Sequence, residues 1–323
     1  MSELYAIAAR DELWSHGILL ESRLEHGEAR QEGDVIEARD ALDPALLAAC
    51  DEEMVRLRAA LADVGDARVR AVARAASDGE RSASLSITMR GVSIVTTPAA
   101  AARDAAMLRA LVAREPEGEL PEPIPIVWRN GSAAVLLHEA VGHAVECGPS
   151  VIPSGARDLG GRARQERDGS PRPGPSLDAR DDRGRWLRVE DVSPLGTANL
   201  FTDPPRALRR TSFRDVPLRR MTSLVATQQG APFDVPERHV EVHLVAGGSY
   251  DALTEAVTIQ VAVANLGPTR LAPFTIHTTR ERVLQAMRGA SGEPVRYPGV
   301  VCSREGQELV VGSFAPVMVT DPL

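Results

Sequence analysis

Ile124–Glu146 reads IPIVWRNGSAAVLLHEAVGHAVE. Ile124–Trp128 comes after a Pro-rich connector and reads as a buried strand. Asn130 and Gly131 supply a turn, and Ser132 is a candidate N-cap for a helix beginning at Ala133. Ala133, Val135, Leu136, His138, Val141 and Val145 mark that helix as apolar. A buried strand feeding a helix with polar side chains among apolar ones places whatever chemistry they do inside a packed domain.

Those polar side chains are His138, Glu139 and His143, an HExxxH pattern. Two neutral imidazoles ligate zinc, and a carboxylate that is not itself a ligand can take a proton from an attacking water. The familiar zinc-protease spacing is HExxH, one residue shorter. Five residues at about 100° each rotate the second ring roughly 140° away from the first on a regular α-helix. A wide turn with i→i+5 hydrogen bonding brings the rings back together, and such π-bulges are found preferentially at functional sites. Gly142 sits where this distortion is least costly. The structural alternative is a core histidine at 138 with His143 facing solvent. A catalytic zinc takes a third protein ligand and leaves one position open. The candidates are Glu146, Cys147, His239, His243, His277 and Cys302.

Outward from this stretch, Trp186–Val192, Leu218–Thr227, His239–Val245, Thr254–Ala264, Thr275–Thr278 and Leu309–Val319 read as strands, with one helix at Arg280–Arg288. Gly247-Gly248 and Asn265-Leu266-Gly267 read as turns. Residues 154–185 are rich in Gly, Arg, Asp, Pro and Ser without periodicity, the pattern of a mobile loop. Upstream, the first hundred residues read as helical and then briefly extended. Asp43 and Pro44 start an amphipathic helix through Pro44–Ala76, with Leu46, Leu47, Cys50, Met54, Leu57, Leu61 and Val64 as its stripe. Two strands meeting at Arg90-Gly91 occupy Ser82–Thr97, and a second helix occupies Ala99–Arg114. The fold class is therefore α+β: a small N-terminal region of helices and strands at 1–123, then a β-rich, mainly antiparallel catalytic domain at 124–323 carrying the HExxxH helix.

Composition narrows the function. The 323 residues carry 37 basic and 45 acidic side chains, a net −8, and every basic one is Arg. No basic surplus marks a nucleic-acid footprint. Apolar content of 43% with 25% charged excludes the low-hydrophobicity signature of disorder. No run approaches the 18 apolar residues of a membrane span, and Met1–Arg10 lacks the basic start of a signal peptide. The three cysteines, 50, 147 and 302, are too few for a disulfide framework, which fits a reducing cytoplasm. Cys50, on the helix stripe, reads as a small buried apolar residue.

Three segments, in order, resemble the TldD/PmbA metalloproteases: VLLHEAVGHAVE (Val135–Glu146), RRTSFRDVPLRRMTS (Arg209–Ser223) and PGVVCSREGQELVVGSFAPVM (Pro298–Met318). Arg220, Met221 and Thr222 match the family's Arg-Met-Thr-Asn block, with Ser223 in place of Asn. Cys302, Gly306, Gln307 and Gly312 match its Cys- and Gly-rich tail, with Ser303 in place of Gly. The resemblance implies a zinc peptidase in which His138, His143 and Cys302 hold the metal and Glu139 is the general base. It implies hydrolysis of short or unfolded peptides, including precursors of peptide natural products, and a homo- or heterodimer with a TldD/PmbA-like subunit. The stretch before the motif is shorter than in typical TldD proteins, and Cys147-Gly148-Pro149 replaces the family's Gly-rich acidic sequence after the second His. Arg220 and Thr222 are candidates to hold a peptide main chain or to support the active-site helix. The rival reading is a non-catalytic partner or scaffold subunit with a structural metal, for which the intact Glu139 has no use.

Overall fold

The computed structural model describes residues 3–32, 35–77, 79, 81–121, 123–143, 176–180, 186–188, 208–209, 212–215, 218–219, 223–227 and 234–323. The chain is α+β and mainly antiparallel, as expected, and forms two compact units. One comprises Met1–Ala113 with Arg210–Leu218 and Val301–Val310; the other comprises Arg114–Arg209, Arg219–Val300 and Val311–Leu323.

The first unit is strand before it is helix, which corrects the sequence expectation. β1 (Glu3–Ser15), β2 (Ile18–Glu32) and β3 (Val35–Arg39) precede α1 (Pro44–Val64). Their Ala, Glu, Leu and Arg are helix formers, but long cross-strand pairing overrides that preference. His16 and Gly17, both at positive φ, make the β1–β2 turn. α1 begins as its sequence demands, with Asp43 Oδ1 accepting from Ala45 N at 2.8 Å and Pro44 in the first turn. It stops at Gly65, φ 75°, well short of Ala76, because β4 (Arg68–Ala76) takes over. β5 (Arg81–Met89) and β6 (Val92–Thr96) meet at the expected Arg90-Gly91 turn. The strand order is β6-β5-β4-β1-β2-β3, antiparallel throughout. α1 covers the face carrying Val69, Ala71 and Ala73, and Arg58 pairs there with the buried Glu12 carboxylate. Cys50 is buried in this layer, its thiol directed at Ala73 O. α2 (Ala101–Leu111) packs on α1, β5 and β6.

The second unit is built around β7 (Ile126–Trp128), whose three residues are all buried. β7 runs parallel to β13 (Val240–Asp251) and antiparallel to β18 (Gln307–Thr320). β14 (Ala256–Leu266) pairs with β13, with β15 (Thr269–Arg270) and with β16 (Phe274–Thr279). β12 (Ser223–Thr227) lies parallel to β18 and antiparallel to β8 (Ser176–Arg180), which pairs with β9 (Trp186–Arg188). β8 is thus a strand inside the stretch 154–185 expected to be a loop; the remainder of that stretch lies outside the described residues. β10 (Leu208–Arg209) and β11 (Leu218–Arg219) form a separate two-stranded ladder. Gly247-Gly248 is not a turn: it lies within β13, where the register with β14 shifts repeatedly between Val242 and Gly247. No helix among the described residues is long and apolar enough to cross a membrane.

Candidate metal centre

The site grows from the end of β7. Trp128 Nε1 donates to Thr320 Oγ1 at 3.2 Å, and Arg129 N–H donates to Val242 O at 2.8 Å, which ties the strand end to both neighbours. Asn130 (φ 55°) and Gly131 (φ 74°) then turn the chain in left-handed conformations. Ser132 does not cap the helix as expected; its hydroxyl donates to Val242 O at 2.9 Å and fastens the helix start to β13. α3 (Ala133–Leu137) follows, every residue buried, against β12 and β13.

At His138 the helix widens. His138–Gly142 is a π turn, and His143 N–H donates to His138 O, the i→i+5 bond that the five-residue spacing requires. The ring centroids of His138 and His143 lie 4.6 Å apart, edge to face at 78°. Both His138 and Glu139 are buried, at 1% and 4% exposure. Glu139 Oε2 lies 3.4 Å from His143 Nε2. The π turn rests on β13, β14 and α4 (Arg280–Ala286), the last occupying the site of the helix expected at Arg280–Arg288.

Cys302 is carried by β17 (Met287–Arg304). That strand is fixed to β13 by the fully buried Tyr297, whose hydroxyl donates to Val245 O at 2.7 Å and accepts from Val245 N at 2.8 Å. Burial pushes this phenol's pKa far up, so it stays a neutral anchor. One ligand atom each from His138, His143 and Cys302 lie within 4.8 Å of one another, and among the described residues this is the one cluster able to hold a metal. Ligands on a tetrahedral zinc sit about 3.5 Å apart, given bonds of about 2.0–2.3 Å, so side-chain adjustments of about an ångström suffice. Two imidazoles and a thiol are a borderline-soft donor set that suits zinc. The residues present fit that ion.

The other third-ligand candidates do different things. His239, just before β13, and His243, within it, flank Glu241, whose Oε1 accepts from Arg129 at 2.7 Å. His239 Nε2 and His243 Nε2 lie 3.6 and 3.7 Å from the Glu241 carboxylate. Burial alone would raise the Glu241 carboxyl, but the Arg129 hydrogen bonds and charge outweigh it and hold it below the usual carboxylate range. Burial pushes the His243 imidazole down against the pull of Glu241, and Arg129 adds to the effect. His277 is exposed on β16 beside Thr258. Glu146 and Cys147 lie outside the described residues, as do Arg220 and Thr222. Sequence reasoning missed Gly248: a Cβ there would stand 2.6 Å from Glu139 Cγ and 3.0 Å from its Cδ. Reading Gly-Gly as a turn hid it.

No family model matches the chain, and no curated protein does. Solved structures similar to it include TldE from Thermococcus kodakarensis, at 10% identity and a TM-score of 0.48, covering 99% of this chain and 95% of that one. A candidate modulator of DNA gyrase from Thermotoga maritima MSB8 is similar at 11% identity and a TM-score of 0.48, covering 99% and 94%. Another, from Bacteroides thetaiotaomicron VPI-5482, is similar at 12% identity and a TM-score of 0.40, covering 98% and 93%.

Proposed function

We propose that this chain is a zinc-dependent peptidase of the TldD/PmbA type, acting in the cytoplasm on short or unfolded peptides, peptide natural-product precursors among them. The observation that carries the proposal is the π turn, which sets two imidazoles and a buried carboxylate together beside the Cys302 thiol. His138, His143 and Cys302 would hold the ion. Bound zinc supplies a lower pKa for water and polarises a carbonyl. Glu139 takes the proton from the attacking water and returns it to the leaving amine. A thiolate gives the metal more charge than a third imidazole would, which puts more of the work of water activation on Glu139. The burial of His138 and Glu139 places these electrostatic contacts in a low-dielectric surrounding, which strengthens them. The partner is a second copy or a related TldD/PmbA-like subunit, and a peptide adding as a strand along a free sheet edge would bind with little dependence on sequence. The domain arrangement proposed is 1–123 as the N-terminal region and 124–323 as the catalytic part.

Elemental analysis of purified protein beside its Cys302→Ala variant tests the centre. One equivalent of zinc, lost in the variant, is expected; equal zinc in both removes Cys302 from the ligand set.

A further inference from the structure

Gly248 lies on β13, opposite Ile259 of β14, just beyond the run of register shifts that ends at Gly247. β13 also packs against the π turn. A Cβ built on Gly248 would sit 2.6 Å from Glu139 Cγ, 3.0 Å from Glu139 Cδ and 2.8 Å from Thr258 O. Real Cβ atoms do not approach heavy atoms this closely, so any other residue here must move either the Glu139 side chain or the strand. Its neighbour is different. A Cβ on Gly247 would meet only Gln260 Oε1, at 4.0 Å, an ordinary contact. Gly248 has no positive φ, so left-handed backbone is not what calls for glycine there. The requirement is space, and much of that space is filled by Glu139.

We propose that Gly248 is a positioning residue for Glu139: the bulged strand presses bare backbone against the Glu139 methylenes and fixes where the carboxylate stands relative to His138 and His143. This deepens the peptidase reading, on which it rests, by adding a residue that touches neither metal nor substrate. A carboxylate misplaced by about an ångström loses most of its value as a base, because proton transfer demands hydrogen-bond distance. None of the three atoms nearest a Cβ at Gly248 belongs to a metal ligand, so zinc is expected to be retained on the change.

The test compares Gly248→Ala with Gly247→Ala in the full chain. Both replace neighbouring glycines of the same strand and cost it similar freedom. Gly248→Ala is expected to lower kcat at least 100-fold with KM and zinc content kept, while Gly247→Ala keeps all three near wild type. Equal losses in both variants, or zinc loss with Gly248→Ala, would overturn the proposal, since either would mean a role in the strand or the centre at large. A second measurement needs no turnover and so separates this inference from the peptidase reading. The melting temperature should fall on Gly248→Ala in the wild-type background and fall less in a Glu139→Ala background, where the crowding against Cγ and Cδ is gone. An equal fall in both, or failure of the double variant to fold, would assign the glycine to the Thr258 contact instead.

Discussion

Two stretches of the second unit carry the same residue types, and among the described residues only one contributes to a cluster that could hold a metal. His138, Glu139 and His143 lie on a helix; Glu241 and His243 lie on β13, with His239 just before its first residue. His239 and His243 both face the Glu241 carboxylate, yet among the described residues no group of three ligands that could hold a metal forms around them. Their carboxylate sits between them and is claimed by Arg129. Five helical residues would diverge on a regular helix, but the i→i+5 bond stacks them into ring contact. Composition is the same in both, and the histidine spacing differs by one residue. Backbone period makes the difference: the π turn brings the helical pair together, while the second pair flanks a carboxylate that Arg129 holds.

The largest expected effect breaks this comparison at its carboxylates. Glu139→Gln should cut peptide hydrolysis by about 10²–10⁴-fold, the usual worth of a general base, with zinc retained. Glu241→Gln should leave turnover and zinc untouched. Steady-state kinetics with elemental analysis on both variants decides it, and full activity in Glu139→Gln would leave the site to the scaffold reading. Next in size is the hinge that delivers the helix. Gly131 holds φ 74°, and a Cβ there would lie 2.5 Å from Val295 O. Gly131→Ala should cost roughly 1–3 kcal/mol of stability, read by denaturant unfolding, since it adds left-handed strain to a backbone collision. A matched change at Gly267, also at positive φ but with open space around it, should cost less.

The helix was more legible than the sheet around it, for reasons that lie in particular residues. A five-residue His spacing with Gly142 inside it has few geometric solutions, and the π turn is one of them. Asp43-Pro44 and Arg90-Gly91 likewise announce a cap and a turn through local chemistry, and both stand where the sequence puts them. Cys302 could be chosen among six candidates only through the likeness of Pro298–Met318 to a family, because nothing in its neighbours says what lies across the fold. β1 to β3 were hidden by helix-forming residues whose partners are distant in sequence: Ile7 pairs with Gly27 and Ala76. Ser132 looked like a cap because the carbonyl that takes its hydroxyl, Val242 O, is 110 residues away. Gly248 was misread for the same reason, since the atom that demands a glycine belongs to another element.

The smallest effects sharpen the contrast from the strand side, through pH. Glu241 is held below its ordinary pKa, so its pairing contributes stability above the unfolded carboxyl value of about 4.3 and loses it as pH falls through the folded value. Arg129→Met should therefore destabilise at pH 7 by about 0.5–1 kcal/mol, a figure kept low because both side chains are about one-third exposed, and the deficit should shrink below pH 4. His243 is also lowered, by burial first, so its neutral form favours the fold above the unfolded value of about 6.5 and that contribution is lost on acidification through the folded value. The two losses come in sequence as pH falls, His243 before Glu241. Melting temperatures of His243→Gln between pH 7 and 5 should vary less than those of the wild type, with zinc content equal at pH 7. A His243 variant that lost zinc would mean that the strand histidines join the helical pair after all, and the distinction between the two stretches would fail.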